Sequence, residues 1–266
     1  MSLLNKLSFG IELLKGNFIM KQKFLTLGVL AAALTVGSSI SNADQVTDNP
    51  ALLKELIQSD ERSKKHRARD QYRHPFDTLT FFGLQTDMKV AEVFPGGQGG
   101  WYRRIIEPFI ENTPGGAYFP VSGRSDWPED EAEDVVYGTI DMALVFRAHG
   151  FLIYGEPAQD HVNDLFKMVR PGGYLGIVDH AGDETVEQDP DGANGYVNES
   201  YFRAMAEKAG FIFVKSSDVN RNPKDVKDYP RGLYSLPPSL RGPDKDKHRA
   251  IGESDRFTHV YRKPAK

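Results

Sequence analysis

From Met88 to the C-terminus, short apolar runs alternate with segments of helical spacing, and this alternation predicts the architecture. Strands are expected at Lys89 to Phe94, Ala117 to Val121, Asp141 to Phe146, Tyr174 to Asp179, Phe211 to Ser216 and Arg256 to Tyr261. Helices are expected at Trp101 to Ile110, at Pro157 to Val169 (closed by the turn Arg170-Pro171-Gly172-Gly173) and at Tyr196 to Ala209, capped by Gly210. The fold class is therefore α/β: a doubly wound, mostly parallel Rossmann-like sheet with helices on both faces. Little chain separates the second strand from Asp141, so a third strand fits only at Asp134 to Tyr137 and is short or missing.

Upstream, Leu52, Leu53, Leu56 and Ile57 give Ala51 to Arg69 one apolar helical face, which fades into the charged run from Asp60. His74-Pro75 then predicts a break before Phe76 to Phe82. Asn220 to Ser254, rich in Pro, Gly, Lys and Asp, reads as a long mobile surface insertion, either a binding loop or a disordered excursion.

The start of the chain carries an address. Met20 to Lys23 is basic, Phe24 to Val36 is apolar and Ala-rich, and Ser41-Asn42-Ala43 is small, the pattern of a secretory signal peptide cut after Ala43. The layout expected is an upstream extension plus signal over 1–43, a helical segment over 44–84 that packs on the domain, and the α/β domain over 85–266 with its insertion at 220–254. A periplasmic or secreted protein without stable membrane insertion follows from this reading. Cleavage removes four basic residues (Lys6, Lys15, Lys21, Lys23) and one acid (Glu12), which takes the net charge from -4 to -7. An acidic chain with scattered Lys and Arg argues against a nucleic-acid partner. The absence of cysteine excludes disulfides and thiolate chemistry.

The chemistry concentrates in Val90 to Tyr102, reading VAEVFPGGQGGWY. An apolar strand with an acid, Glu92, runs into a Gly-rich turn before a helix. Such a turn brings backbone N–H groups up to a nucleotide-like ligand, or simply connects two elements.

Four segments together resemble the class I methyltransferases that use S-adenosylmethionine. VAEVFPGGQGGWY is similar to their first glycine motif, IDMALVFRAHG to the fourth-strand motif, VRPGGYLGIVDH to the fifth-strand turn and strand, and AEKAGFIFV to the sixth strand. A narrower resemblance, to an exported group of "predicted methyltransferases", is carried by RARDQYRHPFDTLTFFGL, the PGG and W-Y residues, VDH and DRFTHVYRKP, and covers roughly Arg67 to Pro264.

The resemblance implies a parallel sheet finished by an antiparallel hairpin, with S-adenosylmethionine at the carboxyl ends of the first strands and a small molecule as methyl acceptor. It places the donor against Gly96, Gly97, Gly99 and Gly100, with Pro95 and Gln98 in the same turn. Glu92 is implied as acceptor for the methionine ammonium, Trp101 as a wall, and Asp141 as a further donor contact. Two features depart from the pattern: Gln98-Gly99 reads as an insertion, and AYFPVSG ends the second strand without the acid that usually holds the ribose, Asp126 being the nearest.

His149, beyond the fourth strand, and Asp179-His180, ending the fifth, are the catalytic candidates; each is equally readable as a hydrogen-bonded structural residue. Arg69, Asp70 and Arg73 read either as an ion-paired latch over the cleft or as a surface salt bridge. No histidine has a metal-ligand spacing such as HExxH, so no metal is inferred. Two functions remain open: an exported methyltransferase, and a non-catalytic binding or stress-response protein on the same scaffold. A nicotinamide-dependent oxidoreductase would need a GxGxxG and a ribose acid, and has neither.

Overall fold

Central strands that are apolar on both faces set the layers of the protein. The computed structural model describes residues 43–96, 99–121, 137–153 and 157–266. The expected signal segment, Gly97, Gln98, Asp126 and nearly all of the expected third strand lie outside the described residues. Six strands form one sheet: β1 (Lys89–Val93), β2 (Ala117–Val121), β3 (Ile140–Phe146), β4 (Val169–His180), β5 (Ile212–Ser217) and β6 (Arg256–Arg262). Their order is β2-β1-β3-β4-β6-β5. The first four are parallel, and β6 runs antiparallel between β4 and β5. This is the sheet the methyltransferase resemblance implies; among the described residues β2 is an edge, with no third strand beyond it.

Successive residues of β3 face opposite sides, as the two-residue period requires. Met142, Leu144 and Phe146 join a core with Val90, Leu53, Leu79 and Ile105, whereas Ala143 and Val145 join one with Ala91, Val93, Leu165 and Phe202. The first core lies under helices α1 (Ala43–Gln58), α4 (Pro75–Phe82) and α5 (Arg103–Glu111), with the short turns α2 (Lys64–Arg67) and α3 (Asp70–Arg73) between α1 and α4. The second lies under α6 (His149–Ile153), α7 (Ala158–Met168) and α8 (Glu199–Ala209). Gly210 ends α8 at φ 108° with its N–H on Ala206 O, the expected left-handed cap.

Several expectations need correction. The single leading helix is broken after Gln58, where the apolar face ends and Arg62 turns inward to hold Asp70 through both carboxylate oxygens, at 2.9 and 2.8 Å. Arg170 to Gly173 is no closing turn but an irregularity inside β4: Ile140 pairs with Val169 and Met142 with Tyr174, so the extra residues bulge while Gly172 N–H reaches Lys263 O at 3.0 Å. The helix expected from Tyr196 starts at Glu199, because Val197 forms a parallel bridge to Ala181.

The insertion over 220–254 carries secondary structure of its own and is bonded to the body of the domain. It contains a 3-10 turn, Gly232–Ser235, and α9 (Lys245–Ile251), and its polar residues are anchored to the body. Asn220 Nδ2 donates to Thr78 Oγ1 and Thr258 Oγ1, both at 3.0 Å, and Asp225 accepts from Tyr196 Oη at 3.1 Å. At its end Glu253, 2% exposed, receives Arg69 Nε at 2.5 Å, Arg73 Nε at 3.0 Å and Arg256 Nη2. The latch expected of Arg69, Asp70 and Arg73 thus closes on a different acid. Asp70 is occupied by Arg62, and both other arginines converge on Glu253.

Despite its burial, which opposes ionisation, the three guanidinium groups hold the Glu253 carboxyl down at about 2. A folded-state pKa below the usual 4.5 contributes stability that is complete above about pH 4.5 and lost as pH falls toward 2. Replacing Glu253 by Ala leaves three cations facing one another, and urea denaturation at pH 7 is expected to show a loss of about 3–5 kcal/mol. In the variant the acid-side slope of stability between pH 4.5 and 2 is expected to flatten.

Candidate active site

A cleft of about 340 Å³ opens where β1, β3 and β4 end, the edge at which open α/β sheets receive ligands. The Gly-rich turn after β1 forms one side. Gly96 sits at φ 79°, and a Cβ on Gly100 would lie 1.7 Å from Pro95 O, so the turn closes on itself only because residue 100 has no side chain. Pro95, Gly96, Gly99, Gly100 and Trp101 line the cleft as expected. Two non-glycine residues, Phe94 at φ 53° and Arg147 at φ 94°, hold left-handed backbone at the ends of β1 and β3. Arg147 Nη2 donates to Phe94 O at 3.2 Å, linking the two strained positions; backbone of this kind, costing about 1–3 kcal/mol per residue, clusters at ligand sites.

Trp101 walls the cleft from the first turn of chain after the glycines. Its Nε1 donates to His66 O at 2.9 Å, and the guanidinium carbons of Arg62 and Arg73 each lie 4.9 Å from its ring. Glu92 forms the floor. It is 2% exposed, and its Oε2 accepts from Tyr118 Oη at 2.7 Å. Burial pushes its carboxyl up to about 8, outweighing the Tyr118 hydrogen bond and the charges of Arg103 and Arg147. The raised pKa favours the protonated carboxyl at neutral pH.

The opposite end of the cleft is polar. His149 N–H donates to Asp179 Oδ2 at 2.7 Å, and His149 Nδ1 lies 3.3 Å from Asp179 Oδ1. His180 N–H donates to Asp179 Oδ1 at 2.7 Å, and His180 Nδ1 is 2.5 Å from Ser254 Oγ. Burial first, and His149 next to it second, hold the His180 imidazole well below its ordinary pKa. All three catalytic candidates thus meet in one place, and all three line the cleft.

Asp141 is elsewhere, which corrects its assignment to the donor. It stands at the start of β3, at the amino ends of the strands, where Oδ2 accepts from Lys89 N–H at 2.8 Å and Oδ1 from Arg170 Nε at 2.5 Å. A parallel sheet delivers the two ends of a strand to opposite edges, so a residue at the head of β3 cannot reach a cleft at its tail.

The structure adds residues the sequence did not announce. Tyr118 reaches Glu92 because Val90 pairs with Tyr118, and two residues on, Glu92 shares that face. The two-residue period contains this signal once the β1–β2 register is known. Arg147, Arg256, Leu233 and Tyr234 also line the cleft. Leu233 and Tyr234 belong to the 3-10 turn of the excursion, and no local pattern marks them.

No protein-family model and no curated protein sequence matches the chain. Among solved structures, it is similar to a SAM-dependent methyltransferase from Aquifex aeolicus, with 15% identity and TM-score 0.48 over 80% of this chain and 97% of the other. It is similar to the cyclase SpnF, with 13% identity and TM-score 0.47 over 84% and 96%. It is also similar to phosphoethanolamine N-methyltransferase 2 of Haemonchus contortus, determined with S-adenosyl-L-methionine, with 11% identity and TM-score 0.43 over 80% and 60%.

Proposed function

We propose that the protein is an S-adenosylmethionine-dependent methyltransferase which, after export, acts on a small-molecule acceptor. The observation that carries this reading is the juxtaposition, across one cleft at the carboxyl edge of the sheet, of a glycine turn floored by Glu92 and a polar end formed by His149, Asp179 and His180. Among the described residues no helix is long and apolar enough to cross a membrane. When bound, S-adenosylmethionine supplies an electrophilic methyl group.

The chain's own residues divide the remaining work. Glu92 would hold the methionine ammonium, accepting its hydrogen bond once the carboxyl has lost its proton to solvent. The backbone of Gly96, Gly99 and Gly100 meets the donor closely, and Trp101 excludes water from one side. At the other end Asp179 Oδ1 faces His149 Nδ1, which fixes that nitrogen as the protonated one and leaves Nε2 to take a proton from the acceptor. Transfer depends mainly on alignment, so this base matters only for acceptors that must be deprotonated. A second reading, a protein that binds the donor or a related nucleoside without transferring the methyl group, is favoured by β2 itself, whose described residues Ala117–Val121 include no acid for the ribose.

Calorimetry of the protein with S-adenosylmethionine and S-adenosylhomocysteine is expected to show one site. No heat at millimolar ligand would sink the proposal. Gly100→Ala, which forces the turn away from Pro95 O, is expected to weaken binding at least about tenfold. Mass spectrometry of products from labelled donor and a small-molecule panel separates the two readings, since the second predicts binding without methylated product.

Glu92 supplies a pH test. Its carboxyl is pushed up to about 8, so donor binding at pH 7 is expected to release roughly one proton, read from calorimetry in buffers of different ionisation enthalpy. Glu92→Gln is expected to abolish that release. Because the folded-state pKa is raised from 4.5, the wild type loses stability as pH climbs from about 4.5 to 8. Thermal melts of the two proteins are therefore expected to coincide near pH 4.5 and to favour Glu92→Gln increasingly above it.

A further inference from the structure

Two imidazoles and a carboxylate occupy neighbouring positions at the polar end of the cleft. One ligand-type atom from each of His149, Asp179 and His180 lies within 4.8 Å of the others, and all three residues are buried. His149 Nδ1 and Asp179 Oδ1 are 3.3 Å apart. That separation matches the edge of a tetrahedron of ligands set about 2.1 Å from a central ion, about 3.4 Å.

Asp179 is the second observation that points to a cation. It is 0% exposed, and among the described residues no lysine or arginine pairs with it. Two backbone N–H groups and one imidazole are its partners, a poor return for removing a carboxylate from water. The nearby guanidinium groups of Arg73 and Arg256 are already committed to Glu253, which moderates their repulsion of an incoming cation. Ser254 Oγ on Nδ1 of His180 fixes that ring, in the manner of groups that orient metal-bound imidazoles, and leaves Nε2 for a ligand.

We propose that His149, Asp179 and His180 form a binding site for one divalent transition-metal ion, with open coordination positions facing the cleft. Two imidazole nitrogens and one carboxylate oxygen suit ions of the zinc, iron, cobalt and nickel type rather than magnesium or calcium. In the metal-loaded protein His149 is a ligand and no longer the base. A bound ion would supply Lewis-acid polarisation of an acceptor oxygen instead. The site goes beyond the methyltransferase reading and is tested without any methyl donor, so either can fail alone.

The test is titration of chelator-stripped full-length protein with Co²⁺, followed by visible absorption and by displacement with Zn²⁺. The expected result is a ligand-field band that saturates at one ion per chain, is abolished by Zn²⁺ and is accompanied by a rise in melting temperature. Asp179→Asn and His180→Ala are each expected to weaken binding at least about tenfold, and Ser254→Ala by about 10–100-fold. Asp183→Asn, an exposed acid close in sequence, is expected to bind as wild type. Should His180→Ala fail to fold, the wild-type titration and Ser254→Ala still decide. A wild-type protein with no band and no thermal shift at millimolar Co²⁺ would overturn the proposal, as would Asp179→Asn with unchanged affinity.

Discussion

Parallel strands must all finish at the same edge, and the candidate chemistry of this protein follows from that constraint. Glu92, Arg147 and the pair Asp179-His180 are far apart in sequence, yet each stands at or next to the carboxyl end of β1, β3 or β4. Hydrogen-bonded register fixes how far each end projects: Val93 aligns with Val145, which aligns with Ile177. The cleft is therefore a property of the sheet, and the side chains are placed by strand length. Asp141 shows the same rule in reverse, since six residues along β3 carry the chain from the edge with Asp141 to the edge with Arg147.

What the parallel edge leaves open, the C-terminal excursion closes. Leu233 and Tyr234 form part of its lining, and Glu253 draws Arg69 and Arg73 of the leading segment toward β6 through Arg256. One carboxylate shared by three guanidinium groups thus joins the two ends of the chain beside the ligand site. Its value depends on all partners being present, because a buried charge left alone is far costlier than one paired.

The sheet was legible in the sequence because apolar alternation and glycine caps are local signals: β1, β2, β3 and β6 fall within a residue or so of the expected bounds. The pattern located the strand ends at which the glycine turn, His149 and Asp179-His180 stand, while the resemblance to methyltransferases singled out those residues; the structure brings them to one cleft. Tyr118 and Glu253 were not legible. Tyr118 needs the register between two strands, and Glu253 sits in a polar stretch whose contacts all lie in other segments. The irregularity at Arg170 to Gly173 misled because Pro-Gly-Gly reads locally as a turn, whereas here the segment that follows β6 pairs with it through Lys263. Asp141 misled because an acid on the right strand was assigned without asking which end it occupies.

The bond between Arg69 and Glu253 spans 184 residues of sequence, and that between Arg73 and Glu253 spans 180. Contacts of such range are made against a large loop-closure entropy and are favoured only after more local pairings have formed. Most of the sheet can assemble before this closure, but the mouth of the cleft cannot. Contact order alone places the Arg69 and Arg73 contacts with Glu253 among the later ones to form. A chain lacking β6 would keep the glycine turn but lose Arg256, and with it one of the three guanidinium groups on Glu253.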